Sequence, residues 1–229
     1  MTGPPAPPPI PPELIETLRQ ARHVLIFTGA GVSMESGVPT FRDAMTGLWE
    51  RYDPADLATP EAFHRDPALV WGWYEWRRMK VLQASPNAAH HAIAALARLV
   101  PHLSLVTQNV DDLHERAGSL VLAHLHGQLN APLCFDCGLP TAHPPGIPVE
   151  PEGGRRIEPP RCHTCGGPIR PGVVWFGEPL PTEDWGRAMD ATREADLVFS
   201  VGTSHLVYPA AEIPELAARW GATFVQVNL

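Results

Sequence analysis

The chain's four cysteines form two C-x-x-C pairs, Cys134-Phe-Asp-Cys137 and Cys162-His-Thr-Cys165. Each pair can present two thiolates from one tight turn, and two such turns complete a tetrahedron around Zn²⁺. Pro and Gly flank both pairs, as tight turns need. Two disulfides are the alternative, which the absence of an export signal disfavours. A redox-active C-x-x-C is also disfavoured, because two pairs together point to structure. Four thiolates leave no open coordination position, so the expected single zinc ion is structural and holds a core-poor segment together. His163 stands between two ligands and reads as a bystander.

A second group of residues follows apolar runs. Residues 23–28, His-Val-Leu-Ile-Phe-Thr, read as a buried strand. The strand runs into Gly29-Ala30-Gly31-Val32-Ser33. Glycine tolerates positive φ and leaves its N–H uncovered, which suits a phosphate. Met34 breaks the G-x-G-x-x-G pattern, so on spacing alone an ordinary strand-to-helix turn remains the stronger reading. Thr107-Gln108-Asn109-Val110-Asp111 ends a second apolar run, and Leu125-His126-Gly127 ends a third. Polar side chains at a strand's carboxyl end face the ligand crevice of a doubly wound sheet. His126 there can act as a general base, since an imidazole titrates near operating pH. The chain has eleven histidines; His90, His91, His102, His114, His124 and His143 have no such placement.

Tyr74 and Arg77 lie three apart on a predicted helix and share a face. A phenol and a guanidinium so placed can grip a carboxylate, Arg through two parallel N–H bonds and Tyr through a third. The alternative is an exposed helix with solvated arginines, which is the expectation for Arg78.

The elements that must hold these groups alternate. The pattern predicts helices over 13–22, 87–100, 110–117, 181–195 and 209–220, with Asn87 as an N-cap. It predicts strands over 23–28, 103–107, 121–125, 173–176, 196–201 and 223–227. Residues 38–85 read as helical and rich in tryptophan, with Trp49, Trp71, Trp73 and Trp76, whereas 131–171 lose all periodicity. The fold class is therefore α/β: a Rossmann-like, doubly wound parallel sheet with a smaller domain made of a helical insertion and a Cys₄ zinc-ribbon module. The expected division is 13–37, 86–130 and 171–229 for the sheet domain, 38–85 for the helical insertion and 131–170 for the zinc module. Residues 1–12, with seven prolines, read as an extended lead-in.

At 229 residues the chain can bury one large domain and an appended module. Its net charge of −8 disfavours a nucleic-acid surface. No 18-residue apolar run predicts a membrane span, and residues 1–12 lack the features of a secretory signal, so a cytoplasmic protein, most simply a monomer, is expected.

The whole string Gly29-Ala-Gly-Val-Ser33, Ser36-Gly-Val-Pro39 and Phe41-Arg42 resembles the first signature of the sirtuins, the NAD-dependent protein deacylases. Thr107-Gln-Asn-Val-Asp111, Leu125-His-Gly127, the paired C-x-x-C, Pro171-Gly-Val-Val-Trp-Phe-Gly-Glu178 and Val201-Gly-Thr-Ser204 follow in sirtuin order. The likeness covers nearly everything from Val24 to Leu229. It implies NAD as co-substrate, with the pyrophosphate near Gly29, Ala30, Gly31 and Ser33. Pro39, Phe41, Arg42 and Trp49 would lie toward the nicotinamide ribose. Gln108 and Asn109 would contact that ribose and Asp111 the carboxamide. Gly202, Thr203 and Ser204 would take the adenosine half, with Asn228 and Leu229 on the adenine side, where sirtuins usually continue into a short tail. His126 would be the base. The implied chemistry is attack of an acyl-lysine amide oxygen on C1′ of the nicotinamide ribose, giving an alkylimidate and nicotinamide. Base-assisted transfer to a ribose hydroxyl and hydrolysis then yield free lysine and O-acyl-ADP-ribose. Val174, Trp175, Phe176, Gly177 and Glu178 would line the acyl-lysine tunnel and pair with the substrate backbone. The Tyr74-x-x-Arg77 pair resembles that of the sirtuin subgroup which removes succinyl, malonyl and glutaryl groups, the bacterial class III (desuccinylase/deacetylase) type. The expected partners are acylated-lysine proteins or peptides.

A hydride-transfer enzyme would need neither the paired C-x-x-C nor Asn-Val-Asp at this place. A mono-ADP-ribosyltransferase would use the same NAD site and differ in product. A zinc-ribbon binding module without catalysis would need a basic face, and only Arg155-Arg156 offers one.

Overall fold

The computed structural model describes residues 9–41, 43, 52–152 and 154–228. The predicted positions Arg42, Trp49 and Leu229 and most of the Pro-rich lead-in lie outside the described residues.

Five strands form one parallel sheet: β1 (His23–Thr28), β2 (His102–Thr107), β3 (Val121–His124), β6 (Leu197–Val201) and β7 (Thr223–Val227). Their order is β3-β2-β1-β6-β7. The direction of strand addition reverses between β1 and β6, which makes that gap the topological switch point. The register brings the carboxyl ends into one row: Thr107 pairs with His124 and with Thr28, Thr28 with Val201, and Val201 with Val227. Each predicted cofactor motif starts one residue or a few beyond its member of that row.

Strand alternation builds the two outer layers. Val24 and Ile26 of β1 pack with Leu105 and Ile93 on one face, under α1 (Pro12–Gln20) and α4 (Ala88–Leu96). Leu25 and Phe27 pack with Val198 on the other, under α6 (Thr182–Glu194) and α7 (Ile213–Arg219). Asn87 caps α4 as predicted: its side chain accepts from the N–H of Ala89 and His90, and His90 Nδ1 accepts from the Asn87 N–H in return.

A third core lies to one side. It joins α2 (Pro60–Arg65) and α3 (Pro67–Gln83) to a two-stranded antiparallel ribbon, β4 (Gly127–Cys134) with β5 (Ile169–Val173). The short α5 (Leu113–Arg116) contributes Leu113 to it. This ribbon departs from the sequence reading, which leaves 131–171 without elements and begins a strand at 173. Both strands carry proline, at 132 and 171, and their register shifts between Gln128 and Leu133, so no regular alternation is written there. The apolar run 173–176 does not continue the strand. Val174 N–H bonds to the His126 carbonyl, Phe176 N–H to Ala58, and Glu178 N–H to Trp175. Gly177 turns the chain at φ 88°. Among the described residues no helix is long and apolar enough to cross a membrane.

Candidate active site

Between the sheet's carboxyl edge and the third core lies a cleft of about 1070 Å³. All the predicted cofactor, catalytic and substrate residues among the described ones line it.

The wall at the switch point is made of backbone. Gly31 N–H donates to the Gly202 carbonyl at 2.8 Å, and Gly29 N–H to the Val201 carbonyl at 3.0 Å. A Cβ on Gly31 would sit 2.6 Å from the Gly202 oxygen. Gly202 has φ 63°, and its Cβ would come within 2.3 Å of the Val32 nitrogen. The two loops can therefore touch only as glycines. Met34 thus costs the site nothing, because the glycines serve loop-to-loop contact rather than the spacing of a dinucleotide fingerprint. The N–H groups of Thr203 and Ser204 find no partner among the described residues and are available to an anion. Asn228 Nδ2 donates to the Thr203 carbonyl, and Gln108 Nε2 to Thr203 Oγ1 at 3.1 Å.

Beneath this wall lies a buried polar network. Ser33 Oγ donates to Asp111 Oδ2 at 3.0 Å and accepts from Asn109 Nδ2 at 3.2 Å. Leu113 N–H donates to Asp111 Oδ1. Burial raises the Asp111 carboxyl above the usual carboxylate range, against the pull of those two donors. Asn109 Oδ1 is buried with no partner among the described residues, an acceptor held ready for a ligand donor. Thr28 Oγ1 donates to Thr107 Oγ1 at 2.7 Å and lies 3.0 Å from His114 Nε2. His90 Nε2 lies 3.4 Å from Ser33 Oγ. Burial pulls His90 and His114 each down to about 4, so both are neutral struts.

His126 sits at the mouth of β3. Its Nδ1 lies 3.1 Å from the Gln108 carbonyl, which can only accept, so Nδ1 carries the proton. Nε2 keeps its lone pair, with no partner among the described residues. Burial lowers the His126 pKa, and the Gln108 bond opposes this only in part. The ring is a neutral base at physiological pH.

The opposite wall is made of side chains. Tyr74 is buried on α3 and its oxygen accepts from Trp175 Nε1 at 3.0 Å. Burial raises the phenol to about 12, so it stays a donor. Arg77 lies over the Trp73 ring at 4.9 Å and the Phe41 ring at 5.9 Å. It has no ion pair or hydrogen bond among the described residues, and burial lowers its pKa. Trp175 is only 2% exposed and belongs to the third core, whereas Phe176 shows half its surface to the cleft. The Glu178 carboxylate is spent within the protein: it accepts from Arg170 and from the Trp175 N–H, both at 2.8 Å.

Away from the cleft the four cysteine sulfurs converge. Cys134 and Cys165 lie 3.4 Å apart, Cys137 and Cys162 3.8 Å, and all four within 4.8 Å of one another. A tetrahedron with Zn–S near ~2.3 Å needs sulfurs about 3.8 Å apart, so the donor set and spacing fit that ion. The Thr164 and Gly167 N–H groups point at Cys162 and Cys165 sulfurs at 3.4 Å, as they do toward thiolates.

His90, His114 and His124 have no role in the sequence reading, yet all three lie under the cleft. For His124 a signal existed: it stands two residues before His126, at the carboxyl end of β3.

A doubly wound sheet with its ligand cleft at the switch point and a cysteine ribbon at its flank defines a nucleotide-binding enzyme class. The chain belongs to the Sir2 family, whose model matches residues 29–209. It is 64% identical over 216 residues to an NAD-dependent protein deacylase of Methylococcus capsulatus, covering 94% of this chain and 85% of that one. It is 63% identical over 217 residues to NAD-dependent protein deacylase 1 of Pseudomonas aeruginosa, covering 94% and 86%. A solved Sir2 homologue in complex with NAD superposes with a TM-score of 0.83 at 46% identity, covering 94% of this chain and 81% of that chain.

Proposed function

We propose that this chain is an NAD-dependent protein-lysine deacylase that removes acetyl and, through Tyr74 and Arg77, succinyl and malonyl groups. The observation that carries the acyl reading is a half-buried guanidinium, with no ion pair or hydrogen bond among the described residues, beside a phenol whose oxygen already accepts a bond. Tyr74 must therefore aim its one proton elsewhere, and Arg77 has no anion paired with it among the described residues. A terminal carboxylate on the acyl chain satisfies both.

NAD supplies, when bound, a ribose carbon whose leaving group is nicotinamide. The chain supplies position and proton transfer. Gly29, Ala30, Gly31 and Ser33 approach the pyrophosphate, with Pro39 and Phe41 over the nicotinamide ribose. Gln108 and Asn109 hold that ribose and Asp111 the carboxamide. Gly202, Thr203, Ser204 and Asn228 hold the adenosine half. His126 Nε2 takes a proton from a ribose hydroxyl, while its Nδ1–H stays on the Gln108 carbonyl and fixes the tautomer. Val174, Phe176 and Gly177 flank the acyl-lysine, with Trp175 as the support of Tyr74. The products are free lysine, nicotinamide and O-acyl-ADP-ribose. The four thiolates hold one structural Zn²⁺ that fixes the β4–β5 ribbon. We read 13–37, 86–130 and 171–229 as the NAD-binding domain, 38–85 as the helical insertion and 131–170 as the zinc module.

The test is nicotinamide release from NAD in the presence of an acyl-lysine peptide. Release that depends on the peptide and yields O-acyl-ADP-ribose supports the assignment. ADP-ribosylated peptide as sole product supports a transferase instead, and peptide-independent release rejects both.

A further inference from the structure

We propose that His124 is a positioning residue: an imidazolium clamped between Glu115 and the Asn109 carbonyl that holds the 107–111 loop against the cleft. Its Nε2 lies 2.6 Å from Glu115 Oε1 and its Nδ1 3.4 Å from the Asn109 oxygen. Both partners accept and neither donates, so both ring nitrogens carry protons and the ring is cationic. His126, two residues on, has a carbonyl on one side only and is neutral. The same strand end thus holds two histidines in opposite charge states.

The clamp acts on Asn109, where the loop is held by polar bonds, while Val110 beside it packs on the third core. Asn109 is tethered by its N–H to Thr107 Oγ1 at 3.0 Å and by its carboxamide to Ser33. Its carbonyl is the third tether, and among the described residues only His124 holds it. The titratable groups facing His124 come from two elements. Glu115 and the neutral His114 face it from α5, and Asp184 from α6. Asp184 also accepts the His124 N–H and pairs with Arg187. Burial alone would lower the imidazole pKa, but the Glu115 bond and charge, with the Asn109 carbonyl, outweigh it and hold it above the ordinary value. Because the folded value is raised, the clamp is complete below the ordinary imidazole pKa and is lost as pH rises through the folded one. A ring with one proton can serve only one of its two acceptors, so deprotonation frees either Glu115 or the Asn109 carbonyl.

This inference rests on the deacylase reading for its kinetic consequence but not for its chemistry, and two readouts separate them. The first is ¹⁵N NMR of the imidazoles in the ligand-free protein at neutral pH. His124 should show two protonated nitrogens, and a neutral ring there overturns the proposal whatever the activity. The second is peptide-dependent nicotinamide release across pH in wild type, His124→Gln and Glu115→Gln. Glu115 is partly exposed, so its variant keeps the fold if His124→Gln does not. In the wild type kcat/KM for NAD should fall on an alkaline limb. Glu115→Gln should move that limb to lower pH, and His124→Gln should abolish it and raise KM for NAD by roughly tenfold, with a smaller fall in kcat. An alkaline limb that Glu115→Gln leaves in place overturns the clamp. A wild type without peptide-dependent release fails the deacylase reading, and the NMR result still decides the charge of His124.

Discussion

The cleft's two walls are built from different materials. The sheet side is backbone: Gly29, Gly31 and Gly202 meet main chain to main chain, and free N–H groups face the ligand. The α3 side is side chain: Tyr74, Arg77, Phe41 and Phe176 make the surface. A backbone wall tolerates no added atom and suits a ligand that never changes, which under the proposed function is the cofactor. A side-chain wall can be re-cut one residue at a time and suits the part of a substrate that varies, which under the same proposal is the acyl group. His126 stands where the two walls meet.

That position makes His126 the largest single lever. His126→Ala should fold as wild type and lose ~10²–10⁴-fold in kcat, since general-base assistance is worth that much. Turnover near wild type in that variant removes the base from the account. Changes confined to the backbone wall should come next. Gly31→Ala forces a Cβ to within 2.6 Å of the Gly202 oxygen. Overpacking of this kind costs about 1–3 kcal/mol, so the urea midpoint should fall and NAD binding weaken together. Tyr74→Phe on the other wall should leave NAD affinity within about twofold, as expected for a group on the far side of the cleft. If both variants weaken NAD alike, the two-wall distinction collapses.

Metal removal sharpens the comparison in another direction. A chelator should lower Tm and strip amide protection from β4 and β5, while β1, β2 and β6 keep theirs in hydrogen exchange. Uniform loss of protection would make the ribbon and the sheet one cooperative unit. Smaller effects come from pH. His126, held below the ordinary imidazole value, should give kcat/KM that rises with pH with its midpoint below the ordinary imidazole value of ~6.5. His90 and His114 are neutral down to about 4, so the unfolded chain binds more protons between roughly pH 6.5 and 4. Stability is therefore complete above that window and should decline across it on acidification, seen as a falling urea midpoint.

The two walls were not equally legible in the sequence. The sheet side was readable because apolar runs end at polar or glycine motifs, and the edge residues His124, Thr107, Thr28, Val201 and Val227 align in one row. The expected helix and strand bounds there shift by only a few residues. The ribbon was not readable, since Pro132, Pro171 and the register shift erase the period-two pattern. The run 173–176 misleads for a related reason: its apolar residues look like a strand, but Gly177 and the Glu178 carboxylate fold them into a turn. Glu178 itself serves Arg170, a partner eight residues earlier that no local pattern announces. The buried struts His90 and His114 were hidden because their partners, Ser33 and Thr28, lie 57 and 86 residues away. The Tyr74–Arg77 spacing was legible, but the Trp175 bond that turns the phenol's proton outward was not.

The side-chain wall can be tried directly. The measurement is the ratio of kcat/KM for succinyl-lysine over acetyl-lysine peptides, on wild type and on Arg77→Met. A charge-assisted bond is worth about 1.5–3 kcal/mol, so the ratio should drop by one to two decades in the variant. An unchanged ratio would mean that Arg77 does not read the acyl group, and the division of labour between the walls would be wrong.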